Sequence, residues 1–262
     1  MRVVRFSPQP DAGVGTDPLF GILEDDNSIT VITGDPIYQG IQRTAAKLSL
    51  TQVRLLAPVI PRSKIVAIGK NYADHAAEMG GVVPEEPIIF IKPNTTVIGP
   101  GDTIVWPQMA PSIDYEAELA IVIGRVCKEV PIERVNDVIF GYTLANDVTC
   151  RELQKKDGQW TRAKGFDTFC PLGPWIETEF VPGNQRITTT LNGEIKQDAH
   201  LSDMIFKVPQ IVNFVSSVMT LLPGDVIITG TPAGIGPMAE KSTVAISIEG
   251  LGQLTNKVSA RP

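Results

Sequence analysis

Two glutamates one residue apart, Glu116 and Glu118 in Asp114-Tyr115-Glu116-Ala117-Glu118, run directly into the apolar stretch Leu119–Ile123. On an extended strand, residues i and i+2 point to the same face. The spacing therefore sets two carboxylates side by side at the mouth of a buried strand. Like charges this close repel, and they coexist when a cation sits between them or when one carboxyl keeps its proton. Hard oxygen ligands of this kind suit Mg²⁺, Mn²⁺ or Ca²⁺ rather than zinc. The plainer alternative is an edge strand with a solvated charged face.

A second stretch, Gly141–Thr149, is mostly apolar and β-prone and carries Asn146-Asp147 near its end. Polar groups at the end of a buried strand are costly unless bonded. Asp147 could supply the third carboxylate of an all-oxygen site. It could also cap the helix expected from Arg151-Glu152-Leu153-Gln154, since Asp is a favoured cap. In the third stretch, Ile65–Gly81, a short apolar strand breaks at Gly69 and a helix-like segment follows. His75 and Glu78 lie at i and i+3 and share a helix face. A carboxylate beside an imidazole orients the ring and raises its basicity, as a general acid/base pair requires. The alternative is an ordinary surface histidine, although the chain has only two, His75 and His200. Gly80-Gly81 would let the segment swing as a lid.

Four motifs occur in order: Gly-Lys-Asn-Tyr-Ala-Asp-His-x-x-Glu, then Asp-Tyr-Glu-x-Glu-Leu-Ala, then Asn-Asp-Val-Thr with Ala163-Lys164-Gly165-Phe166-Asp167, then Thr229-Gly230-Thr231-Pro232-Ala233-Gly234-Ile235-Gly236. Together they resemble the fumarylacetoacetate hydrolase family from about Pro61 to the C-terminus. The resemblance implies a divalent-metal enzyme, usually with Mg²⁺ or Mn²⁺, that works as a homodimer. It places metal ligands on Glu116, Glu118 and Asp147, and the acid/base pair of the smaller members on His75 and Glu78. It matches an active-site lysine to Lys164 and a substrate-contacting glutamine to Gln154. Thr231 of the Thr-Gly-Thr-Pro turn lines the same pocket. Lys70 falls where relatives often carry Arg or Leu and is a candidate carboxylate anchor.

Such parts imply chemistry on 2-oxo or 2,4-dioxo acids, of the kind found in aromatic catabolism. A metal with open positions can chelate the 1-carboxylate and 2-oxo group and stabilise developing enolate charge. If His75 and Glu78 activate water, a C–C bond is hydrolysed, as in an acylpyruvate. If they only shuttle a proton, the outcome is isomerisation, as for a hydroxyhepta-diene-dioate. Oxaloacetate would lose CO₂ with no base. Hydrolysis ranks first because both His75 and Glu78 are present. An alternative from another class is a catalytically silent protein that binds a metal and a dicarboxylate.

With 43% hydrophobic and 20% charged residues, the 262-residue chain reads as an ordinary globule. The net charge of −6 argues against nucleic acid or an anionic membrane as partner. No apolar run approaches the ~18 residues of a membrane span. No signal-peptide run follows Met1, and Cys127, Cys150 and Cys170 form no Cys-x-x-Cys. The expectation is a cytoplasmic protein without disulfides. No Gly-x-Gly-x-x-Gly, P-loop, His-Glu-x-x-His or Gly-x-Ser-x-Gly is present.

The elements point to an α+β, strand-dominated fold: a family-like mixed β-roll over residues 61–262, with a small β-rich module at 1–60. Phe20–Leu23 and Ile29–Ile32 read as a hairpin, and Thr44–Leu56 as a weak helix. Strands are expected at Ile88–Ile91, Thr103–Trp106, Leu119–Ile123 and Val138–Leu144. Asn192-Gly193 marks a hairpin turn between Thr188–Leu191 and Glu194–Gln197. Val208–Leu221 reads as a helix with an apolar stripe of Ile211, Phe214, Val215 and Val218. Val226–Ile228 leads into the Thr-Gly-Thr-Pro turn, and Val244, Ile246 and Ile248 alternate ahead of a last strand.

Overall fold

A computed structural model describes residues 1–260. The first five strands are β1 (Arg2–Pro8), β2 (Leu19–Leu23), β3 (Ser28–Ile32), β4 (Arg43–Ser49) and β5 (Val53–Leu56), with a one-turn helix α1 (Pro36–Gln39) before β4. Then come β6 (Ile65–Gly69), α2 (Ala73–Glu78), β7 (Ile88–Lys92), β8 (Val97–Ile98), β9 (Thr103–Ile104), β10 (Asp114–Tyr115), β11 (Ala117–Ile123) and β12 (Ile139–Asn146). Helices α3 (Arg151–Asp157) and α4 (Thr161–Lys164) precede β13 (Cys170–Glu177), β14 (Arg186–Leu191) and β15 (Glu194–His200). The chain ends with α5 (Val208–Val218), β16 (Val226–Ile228), β17 (Gly236–Pro237), β18 (Thr243–Ile248) and β19 (Gly252–Val258). The fold is strand-dominated and mixed, as the sequence predicts.

A 12-stranded sheet runs β4-β3-β2-β1-β13-β12-β11-β16-β6-β7, with β5 on β1 and β8 on β13. A five-stranded sheet runs β15-β14-β18-β19-β9, and β10 pairs β17. β11 sits deep in the large sheet between β12 and β16, and all seven of its residues are buried. Alternation sends its side chains to two cores. Leu119, Ile121 and Ile123 pack with α5 and the five-stranded sheet through Ile211, Val215, Ile187 and Ile246. Ala120 and Val122 pack the other face with Ala67, Val226 and Ile228. Glu118 shares the face of Ala120.

The Asn192-Gly193 turn forms as expected, with φ of 50° and 85°, the left-handed pair of a type I′ hairpin. The stretch Thr44–Leu56 is not a helix. β3 leaves an open edge, and β4 closes it with Ile29 opposite Leu48. β5 pairs β1 with Arg5 opposite Leu56. Available strand edges here override a weak local preference. The strand at Thr103 stops at Ile104, short of Trp106. On α5 the buried stripe is Val208, Ile211, Val212 and Val215, while Val218 is 57% exposed. Phe214 is only half-buried, so Ile211 and Val215 hold their expected places while Val208 and Val212 stand in the core where Phe214 and Val218 were expected.

Leu119→Ala removes a fully buried side chain from the layer between the two sheets. It should cost ~2–5 kcal/mol in urea unfolding, the usual range for a buried Leu-to-Ala change. Ile195→Ala, at a position 57% exposed, should change stability little. Equal effects of the two would refute this placement of the core.

Candidate active site

The antiparallel register of β11 and β12 builds the site. Ala117 opposes Asn146, and Asp147 N donates to Glu116 O at 2.9 Å, so Asp147 lies beside Glu116 just past the strand end. Glu116, Glu118 and Asp147 are 3%, 1% and 1% exposed. Their carboxylates offer ligand atoms within 4.8 Å of one another. This excludes the solvated edge strand. Asp147 is also no helix cap: Cys150 precedes α3 there and makes no side-chain cap bond.

Each carboxylate is held differently. Arg151 on α3 bridges Asp114 and Glu116, and Lys164 Nζ reaches Glu116 Oε2 at 2.9 Å. The same ammonium reaches Asp147 Oδ2 at 2.5 Å and Thr149 Oγ1 at 2.7 Å. Lys92, fully buried at the end of β7, takes the other Asp147 oxygen. Glu118 has no basic side chain within ion-pair distance among the described residues, and accepts only from Gly230 N, at 2.7 Å. Gly230 has φ 92°, and a Cβ there would lie 2.7 Å from Asn71 Cβ, so a glycine fits this turn.

The electrostatics follow. Burial alone would raise Glu116, but Lys164 and Arg151 outweigh it and hold this carboxyl far below the usual range. Burial, then Asp147 and Glu116, push Glu118 well above it. Lys164 is raised, because Asp147 and Glu116 outweigh the cost of burying its charge. A cluster of hard oxygens with one under-neutralised member is the donor set a divalent cation fits. Glu116, Glu118 and Asp147 would hold it.

A cleft of about 200 Å³ opens onto this cluster. His75, only 5% exposed, lines it from α2, and its Nδ1 lies 3.1 Å from Glu78 Oε2. Glu78 Oε1 accepts from Gly234 N at 3.1 Å, so the pair is tied to the Thr-Gly-Thr-Pro turn. Lys70, Gln154, Lys164 and Thr231 line the same cleft. Gln154 Oε1 accepts from Arg151, and Thr231 Oγ1 accepts from Gln197 at 2.8 Å. All nine residues singled out from the sequence thus gather around one cleft, either on its walls or, for Glu78, directly behind His75.

Lys92, Arg151 and the aromatic wall of Phe90 and Trp160 escaped the sequence reading. Lys92 ends an apolar strand and reads locally as its solvated terminus. Arg151 reads as an ordinary first-turn residue. The one available signal was the need of several buried carboxylates for several cations.

A family model, Fumarylacetoacetate (FAA) hydrolase C-terminal, matches residues 64–259. Another, Rv2993c-like, N-terminal, matches residues 1–58. The chain is 55% identical to Protein Rv2993c of Mycobacterium tuberculosis over 98% of each chain. It is 40% identical to oxaloacetate tautomerase Fahd2a, mitochondrial, of Rattus norvegicus, over 98% of this chain and 91% of the other. Its fold matches a solved 2-hydroxyhepta-2,4-diene-1,7-dioate isomerase from Mycobacterium marinum at TM-score 0.88 and 46% identity, covering 99% and 98% of the two chains. It also matches maleylpyruvate hydrolase from Sphingobium sp. SYK-6, solved with manganese(II) ion and pyruvate, at TM-score 0.81 and 29% identity over the full length of both.

The imbalance at Glu118 has a measurable sign. A carboxyl whose folded pKa is raised contributes stability below its unfolded pKa and loses it as pH rises toward the folded value. In chelator at neutral pH, Glu118→Gln should therefore melt at a higher temperature than the wild type, since the amide oxygen can still accept from Gly230. Added Mg²⁺ or Mn²⁺ should raise the wild-type melting temperature and leave the variant unmoved. A metal-induced shift of the same size in both would rule out Glu118 as a ligand.

Proposed function

The chain belongs to the fumarylacetoacetate hydrolase family, and from that premise we propose a divalent-metal-dependent enzyme acting on 2-oxo or 2,4-dioxo acids. The preferred reaction is C–C bond hydrolysis of an acylpyruvate-type substrate. One observation carries the reading: a buried three-carboxylate cluster at the floor of a cleft whose wall holds a His–carboxylate pair. A divalent cation at Glu116, Glu118 and Asp147, Mg²⁺ or Mn²⁺ by the donor chemistry, supplies a Lewis acid for the 2-oxo group when bound.

The chain's own residues supply the rest. Lys164 places a buried ammonium where charge develops on the 2-oxo oxygen. Lys70, Gln154 and Thr231 contact and orient the substrate. Glu78 takes the Nδ1 proton of His75 as a hydrogen bond and leaves Nε2 to accept one. His75 removes a proton from water as its oxygen bonds to the distal carbonyl carbon. The bond between that carbon and C3 then breaks, its electron pair passes to the pyruvate fragment as enolate, and a proton returns to C3. A second reading is isomerisation, favoured by the relative named as a 2-hydroxyhepta-2,4-diene-1,7-dioate isomerase. There the same His75 moves a proton between carbons and no water adds. Decarboxylation of oxaloacetate needs neither role.

We propose further that the enzyme is a homodimer in the cytoplasm, and that the Asn71–Gly81 segment orders over bound substrate. The left-handed Gly80, at φ 67°, supplies its turn. Support for the dimer comes from β7, which ends the large sheet and leaves Ile91 45% exposed on an open edge. Light scattering at micromolar concentration should give twice the mass of the chain, and a monomer would contradict this assembly.

His75→Ala should lower kcat for acylpyruvate hydrolysis by ~10²-fold or more, the usual worth of a general base. Oxaloacetate decarboxylation by the same variant should fall far less. Hydrolysis at near wild-type rate would show that His75 is not the base.

A further inference from the structure

A second cavity, of about 350 Å³, lies at the N-terminal end of α5 and shares no lining residue with the cleft. It is the roomier of the two and falls within the size range of small-molecule sites. Leu201, Met204, Val208 and Pro182 form apolar walls, and Tyr142 reaches it from β12. No acidic side chain lines it, although the chain carries a net charge of −6. Lys207 is its one charged group. Asp203, close by in sequence, lines a different hollow and accepts from His200 N at 2.9 Å.

Two side-chain donors line this cavity without an acceptor to match. The Lys207 ammonium donates to Ser202 O and Met204 O, which leaves one of its three N–H groups. No carboxylate lies within ion-pair distance of it among the described residues. The two carbonyls tether the ammonium at the rim instead of letting it swing into water. Tyr142 is 5% exposed, and its ring packs edge-on against Phe180 with centroids 5.6 Å apart. Its hydroxyl makes no hydrogen bond among the described residues, yet it is not sealed off from the cavity. Burial pushes this phenol up to about 12, so it remains a donor at neutral pH. Val208 and Pro209 open α5, and a helix's first turn carries amides without intrahelical acceptors and the positive end of its dipole. A void left by imperfect packing would be lined by apolar groups alone. A nearly buried hydroxyl with no partner costs stability until something accepts from it.

We propose that this cavity is a second ligand site, which takes a small monocarboxylate with an apolar body. The carboxylate meets Lys207 and Tyr142, and the body lies among Leu201, Met204, Val208 and Pro182. An ionised acceptor satisfies both donors at once, and hydrogen bonds of that kind are the strong ones. A second carboxylate on the ligand would meet only uncharged walls. The site stands apart from the carboxylate cluster and from whatever reaction the cleft performs. It still touches two elements that position the cleft. Tyr142 belongs to the strand that ends at Asn146, next to Asp147, and Met204 pairs with Tyr72 at the start of α2.

Calorimetric titration of the full chain in chelator keeps metal out of the cluster. It compares phenylacetate with phenylacetamide, which keeps the body and loses the charge. The wild type should bind the acid about tenfold more tightly than the amide. Lys207→Met should erase that preference. Tyr142→Phe should weaken phenylacetate about fivefold, the usual worth of one hydrogen bond. Lys70→Met, in the other cleft, should leave the affinity unchanged within about twofold. Tyr142→Phe keeps the ring and its packing on Phe180, so it decides the matter if Lys207→Met does not fold. A wild type that binds neither compound, or binds both equally, would overturn the site. So would a preference that survives Lys207→Met, or wild-type affinity in Tyr142→Phe. Loss of binding in Lys70→Met would overturn it too, because it would put the acid in the cleft.

Discussion

Buried negative charge is the constraint on which this structure turns. Asp114, Glu116, Glu118 and Asp147 all lie below 9% exposure at one end of a β-sheet. Carboxylates withdrawn from water persist only when paired, hydrogen-bonded or protonated. Three basic side chains answer the four acids: Arg151 on Asp114 and Glu116, Lys164 on Glu116 and Asp147, and Lys92 on Asp147. Glu118 is left with a backbone amide. The protein thus neutralises its cluster incompletely, and the shortfall falls on the carboxylate that sits deepest along β11. A site meant only for stability would have a fourth base or an apolar residue at that position. The imbalance is the physical basis for a cation.

Holding such a cluster in place requires a scaffold that does not move. Glu116 and Glu118 flank Ala117, whose N–H donates to Gln197 Oε1 at 3.0 Å. Gln197 is itself fully buried and also donates to Thr231 Oγ1 and Pro232 O, both at 2.8 Å. One amide side chain therefore ties the glutamate strand to the turn that lines the cleft. Asn146 holds the same segment from β12, accepting from Glu116 N at 2.9 Å. The apolar faces of β11 lock the strand between two cores, so the carboxylates cannot relax apart by shifting it. Rigid placement makes their repulsion available to a ligand instead of being lost to rearrangement.

What could be read from the sequence was local. The Glu-x-Glu spacing, the His75–Glu78 turn and the Asn192-Gly193 hairpin each depend on a few consecutive residues, and each forms. What could not be read was set by distant partners. β4 and β5 are strands because β3 and β1 offer edges to them, which nothing between Thr44 and Leu56 announces. Lys92 lies 55 residues from the Asp147 it neutralises. Arg151 reaches Asp114, 37 residues away, across a fold whose register had first to be known. On α5 the expected stripe holds at Ile211 and Val215 but not at Phe214 and Val218, for the same reason: the helix periodicity is legible, but the exact face turned inward is chosen by what packs against it.

The site divides into two ends with different jobs, and this bears on why related chains can differ in reaction. The carboxylate end is fixed by strands and buried ion pairs, and changes there would leave unpaired charge at a cost of several kcal/mol. The outer wall is carried by α2, α3 and the turn after β6, which are short and partly exposed. Substitutions at Lys70 or Lys155 disturb no buried ion pair, so this wall can vary while the floor stays constant. In the proposed function, activation of a 2-oxo group belongs to the floor. Which bond breaks would then depend on how the wall presents the distal end to His75. In the proposed reading, the way the wall holds the far end of a substrate would set whether a carbonyl carbon or a C–H faces the imidazole. On that reading, the shape of the wall and the choice between hydrolysis and proton transfer become one geometric question, decided by the same few ångströms of cleft.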